Sequence, residues 1–113
     1  MYGDITVTQY NKDDTIELCT EVEIQDSTRT DIFIFTGSFT SGRPVYYNKE
    51  TSGYLHIPDR LSVWAVDVVI NSGYSTVNSE VGARTLNPAD IKTWNLDITV
   101  RCNNLEMIKF AEL

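Results

Sequence analysis

Residues 92–102 read KTWNLDITVRC, and the pattern alternates without a break. Trp94, Leu96, Ile98, Val100 and Cys102 share one parity, while Asn95, Asp97, Thr99 and Arg101 share the other. Side chains in an extended chain point to alternate faces, so this stretch predicts a half-buried strand with one wet face. Working outward, TIELCTEVEIQ (15–25) repeats the pattern, with Ile16, Leu18, Val22 and Ile24 opposite Glu17, Glu21 and Glu23. DIFIF (31–35) and most of SVWAVDVVI (62–70) are apolar at both parities, as central strands are, with Asp67 the exception.

Turn signals separate these runs at short intervals: Asn11-Lys12-Asp13-Asp14, Asp26-Ser27-Thr28, Ser41-Gly42, Thr51-Ser52-Gly53, Pro58-Asp59 and Asn71-Ser72-Gly73. Short strands spaced in this way predict an all-β fold, a small antiparallel β-sandwich or barrel. A parallel sheet would need crossover helices, and no run is suited to them. One short helical turn is expected near 88–92, with Asn87 as its cap and Pro88 at its first position. LEMIKFAEL (105–113) is open to two readings, a helix through Leu105 and Ile108 or a strand through Ile108 and Phe110, and the strand is preferred.

The 113 residues fit a single β-rich domain over 1–113, with no internal boundary. Hydrophobic residues make up 42% and charged residues 22%, a globular composition. The net charge of −7 argues against nucleic acid, which needs clustered cations, and against anionic membrane surfaces. No apolar run has the length of about 18 residues that a spanning helix needs, so no membrane insertion is expected. MYGDITVTQY carries no basic region followed by an apolar run. The oligomeric state is left open.

Cys19 and Cys102 are the only cysteines. Bridged, they close a loop worth about 4–5 kcal/mol by chain entropy and imply an oxidising compartment. Yet Cys19 is in phase with the glutamates of its strand, and Cys102 with the apolar face of its own. A disulfide therefore requires a β-bulge, or a Cys102 that lies past its strand's end. The alternative is one buried and one exposed thiol.

No nucleophile elbow, phosphate-binding loop or zinc-ligand set is present, and His56 is the single histidine. Asn11, Asp13 and Asp14 could offer oxygens to calcium, without the EF-hand spacing. A non-enzymatic chain without cofactors or metals follows. Aromatics are the stronger lead, because Tyr and Trp combine a large contact area with a polar handle. Trp64 and Trp94 are in phase with aliphatic neighbours and belong to the core. In SGRPVYYN (41–48) the dipeptide Ser41-Gly42 makes a turn and Pro44 opens a strand. Tyr46 and Tyr47 must then face opposite ways. Arg43 could stack on the exposed ring or hold a carboxylate. The candidate ligand-binding residues are Arg43, Tyr46, Tyr47, Tyr54 and His56.

The run GSFTSGRPVYYNKETSGYLHIPDRLSVWAV resembles a recurring "NGRPVY…YLYY…W" module of large secreted and surface multidomain proteins. The resemblance rests on Gly37-Ser38-Phe39, Ser41-Gly42-Arg43-Pro44-Val45-Tyr46, Gly53-Tyr54-Leu55-His56 and Trp64-Ala65-Val66, with the later Pro88 and Trp94, and spans about residues 35–95. Ser41 stands where the module has Asn, and His56 where it has Tyr. The resemblance implies a compact, non-catalytic all-β domain, extracellular or at the cell surface, and carries over no catalytic residue. The expected function is a binding or adhesion module with a glycan or protein ligand. The alternatives are an assembly subunit that self-associates through sheet edges and, more remotely, a hydrolase with two facing carboxylates.

Overall fold

The computed structural model describes residues 15–40, 42–58, 63–67, 77–80 and 85–109. The strands are β1 (Thr15–Gln25), β2 (Thr30–Thr40), β3 (Arg43–Asn48), β4 (Gly53–His56), β5 (Ala65–Asp67), β6 (Val77–Asn78) and β7 (Thr99–Lys109). They form one seven-stranded sheet in the order β6-β5-β4-β3-β2-β1-β7, antiparallel at every pairing. The all-β antiparallel expectation therefore holds, realised as a single sheet. Asn11, Asp13, Asp14, Ser41, Asp59, Ser62, residues 68–70, the 71–73 turn and Phe110 lie outside the described residues.

Turn chemistry sets the hairpins. The Asp26 carboxylate accepts from the amides of Thr28 and Arg29 at 2.7 and 2.8 Å, closing β1–β2 with an Asx turn. These bonds, the Thr28 amide's above all, favour the ionised form and hold the Asp26 carboxyl below its ordinary range. Asn48 does the same for β3–β4, accepting from Glu50 and Thr51, and Ser52 then takes the left-handed φ of 62°. Between β2 and β3 the register slips: Thr36, Gly37 and Ser38 stand opposite Val45 alone. The bulge needs a φ of 90° at Gly37, which only glycine adopts without strain. Pro44 pairs beside this bulge as the second residue of β3, where a missing N–H does little harm.

The strand expected over 94–102 is divided. Trp94 bridges to Ser79, the Glu80 amide donates to Thr93 and the Asn95 amide donates to Asn78. The Ile98 amide then reaches back to the Leu96 carbonyl at 2.9 Å, a tight turn, and β7 begins at Thr99. One alternating stretch thus serves β6 with its first half and β1 with its second, joining the two ends of the sheet. Leu96, expected inside, lies on the bend and is 50% exposed.

This curling explains a shared core. Val22 and Ile24 of β1, Phe33 of β2, Tyr46 of β3 and Leu55 of β4 pack with Ile57, Trp64 and Ile91, flanked by Trp94, Ile98 and Val100. Trp64 is fully buried and donates its indole N–H to the Thr85 carbonyl.

The cysteines are bridged, with Cα atoms 5.8 Å apart. The bulge that the phase argument required is present: Thr20 is unmatched on β1 and Asn103 on β7. It turns Cys19 from the glutamate face to the interior, where it is fully buried beside Leu18. The helical turn at Pro88–Asp90 is a short 3-10 turn, but Asn87 makes no side-chain cap. Its amide is spent on β1, accepting from the Cys19 N–H at 2.8 Å and donating to the Glu17 carbonyl at 3.0 Å. Asn87 thus supplies a ladder rung where β2 no longer pairs with β1.

Candidate functional site

Strand parity separates the five candidate residues. Tyr46 is fully buried and donates its hydroxyl to the Cys19 carbonyl at 2.6 Å. Its burial pushes the phenol's pKa far above the ordinary tyrosine value. Arg43 is 8% exposed and its guanidinium donates to the Gly42 carbonyl at 3.0 Å, so it does not stand in solvent. His56 is fully buried, with Nε2 3.1 Å from Oδ2 of Asp67. This pair also accounts for Asp67, the polar exception in an apolar run: each buried polar group supplies the other's partner. Burial withdraws Tyr46, Arg43 and His56 from the surface a ligand could touch.

Tyr47 and Tyr54 remain. They are half-buried register partners on β3 and β4, with ring centroids 4.9 Å apart. Tyr47 also pairs with Ile34 on β2, and Ile34 with Glu21 on β1. One row of side chains therefore crosses four strands in the order Glu21, Ile34, Tyr47, Tyr54. Ile32 lies one step along β2 on the same parity, opposite Glu23. Ile34 is 49% and Ile32 36% exposed, although β2 lies between β1 and β3 in the sheet. Ile32, Ile34 and Tyr47, together with Thr30, Lys49 and Glu50, border an open groove of about 520 Å³.

An aliphatic-aromatic strip on a strand flanked on both sides is chemically specific. At Ile34 the strand pairs with both neighbours, so its side-chain face is what remains available there, and that face offers apolar contact. Acidic groups border it. Glu23 is engaged by Arg101 of β7 and by Asn103, and the Arg101 hydrogen bond foremost holds its carboxyl below the ordinary range. Lys49 and Glu50 stand at the opposite rim.

Sequence reasoning missed Ile32 and Ile34. An apolar residue at both parities reads as a strand covered on both faces, and the same signal arises when one face is left open for contact. Among the described residues no group of three or more His, Cys, Asp or Glu side chains is placed to hold a metal ion, and no helix is long and apolar enough to cross a membrane. No protein-family model, curated protein or solved structure matches the chain. Fold and site together define a disulfide-braced, single-sheet β domain with an open apolar face.

Proposed function

We propose that this domain is a non-catalytic binding or adhesion module, extracellular or at the cell surface, whose glycan or protein ligand docks on the Ile32–Ile34–Tyr47–Tyr54 face. The observation that carries the reading is the exposure of two isoleucines beside a tyrosine pair on a strand that needs neither residue to complete its core. The Cys19–Cys102 bridge supports an oxidising compartment. The resemblance of residues 35–95 to a module of secreted proteins points the same way. A sugar's C–H face and an apolar protein patch share the chemistry this strip complements.

The test is a glycan array and a panel of cell-surface ectodomains probed with the intact domain. Any ligand found is then titrated against Tyr47→Ala and Ile34→Thr. Each variant is expected to weaken binding by about tenfold, roughly 1.4 kcal/mol. Unchanged affinity in both would remove the site.

A further inference from the structure

β7 ends the sheet. Its eleven residues pair with β1 on one side, and no described strand lies on the other. A long bare edge presents a row of backbone donors and acceptors ready for another strand. Native edges are usually blunted by lysine, proline or brevity, and the exposed centre of β7 has none of these. Leu105 is 54% and Met107 66% exposed, two residues apart and so on one face. Lys109 stands only at the strand's end, and Arg101 is committed to Glu23.

The charges beside this edge have one sign. Glu17 is the register partner of Met107, Glu21 that of Asn104, and Glu106 lies between the two apolar residues. Glu21 is bonded to Asn103, and Glu106 to Thr20 and Asn104. Among the described residues none of these three carboxylates meets a cation.

We infer that β7 accepts, as an added strand, an extended segment of a partner protein in which apolar and basic residues alternate. Its backbone completes the ladder, its apolar side chains cover Leu105 and Met107, and its cations, which point to the other face, meet Glu106 and the Glu21 opposite Asn104. A second copy fits poorly. The symmetric antiparallel register that sets Leu105 against Met107 also sets Glu106 against Glu106, and like charges directly opposite destabilise a pair. Each copy further carries a net charge of −7. This interface is separate from the groove over β2 and β3.

The test uses a short synthetic peptide alternating lysine and valine, its glutamate-valine counterpart, and a backbone N-methylated lysine-valine peptide. The intact domain should bind the first saturably, with hydrogen exchange slowed along residues 99–109. Binding should be about tenfold weaker in the double variant Leu105→Thr/Met107→Thr, and weaker and less salt-dependent in Glu106→Gln. Tyr47→Ala should leave it unchanged, so failure of the groove reading and failure of this one are separable. Equal binding of the N-methylated or glutamate peptide would overturn the inference, as would slowed exchange confined to β2 and β3. Concentration-dependent dimerisation through β7 would also overturn it and assign the edge to a second copy.

Discussion

Three side chains fix the backbone at Cys19: Asn87 takes its N–H, Tyr46 its carbonyl, and Cys102 its sulfur. Asn87→Ala leaves the Cys19 N–H and the Glu17 carbonyl unmet and is expected to cost about 2–3 kcal/mol in denaturant unfolding. Tyr46→Phe should cost about 1 kcal/mol at neutral pH and should also change the alkaline limb. The folded phenol's pKa lies above the unfolded one, so its stabilisation is complete below about pH 10 and is lost above it at up to about 1.4 kcal/mol per pH unit. In Tyr46→Phe that component of the decline should be absent; an identical alkaline slope would show that this phenol is not the group responsible. His56→Ala strands Asp67 in the interior and is expected to cost about 3 kcal/mol, more than replacing both partners by apolar residues. At this scale the sequence was partly legible. Parity placed Tyr46 and Tyr47 on opposite faces without saying which was inside, and it flagged Asp67 as odd without naming His56, eleven residues away, as its partner. The burial of Arg43 beside a turn was not legible, and Asn87 was misread because a contact across the fold overrides local preference: its side chain is drawn from its cap to β1.

Strand existence was legible wherever alternation or turn chemistry was strong, as in β1 and in the hairpins closed by Asp26 and Asn48. Strand limits were not. Nothing in KTWNLDITVRC marks the break at Leu96, because the cause is the need to pair first with β6 and then with β1. The bulge at Thr20 was inferable only on the condition that the cysteines are joined, since phase alone set them on opposite faces. The disulfide ties neighbouring strands across this bulge and spans 83 residues of sequence. Replacing both cysteines by alanine is expected to lower stability by about 4 kcal/mol in chemical unfolding; a loss below about 1 kcal/mol would mean that the β1–β7 ladder holds without it. The same strands are linked by Arg101 and Glu23. A depressed carboxyl contributes stability above the ordinary carboxylate range and loses it as pH falls through the folded value. Arg101→Ala should therefore move the Glu23 carboxyl titration upward in NMR, and an unmoved midpoint would exclude Arg101 as the cause.

For the molecule as a whole, a single sheet joined end to end by residues 93–98 gives one buried face and one open face. The interior is filled by aromatics from β3 and the segment before β5, which frees the outer side of β2 and β3 from any share in the core. Ile32 and Ile34 are thus surplus to folding, and on the proposed reading they are kept for contact. Composition, charge and the lack of catalytic motifs directed attention to binding, but the face itself became visible only when strand order put Tyr54, Tyr47 and Ile34 in one row. The most direct measurement is a paired titration and unfolding curve for the double variant Ile34→Thr/Tyr47→Ala, with the ligand recovered from the glycan and ectodomain screens. Affinity is expected to fall by about a hundredfold, roughly 2.7 kcal/mol, while the unfolding free energy changes by less than about 1 kcal/mol. Undiminished affinity in a stably folded double variant would contradict the assignment of this face as the binding site.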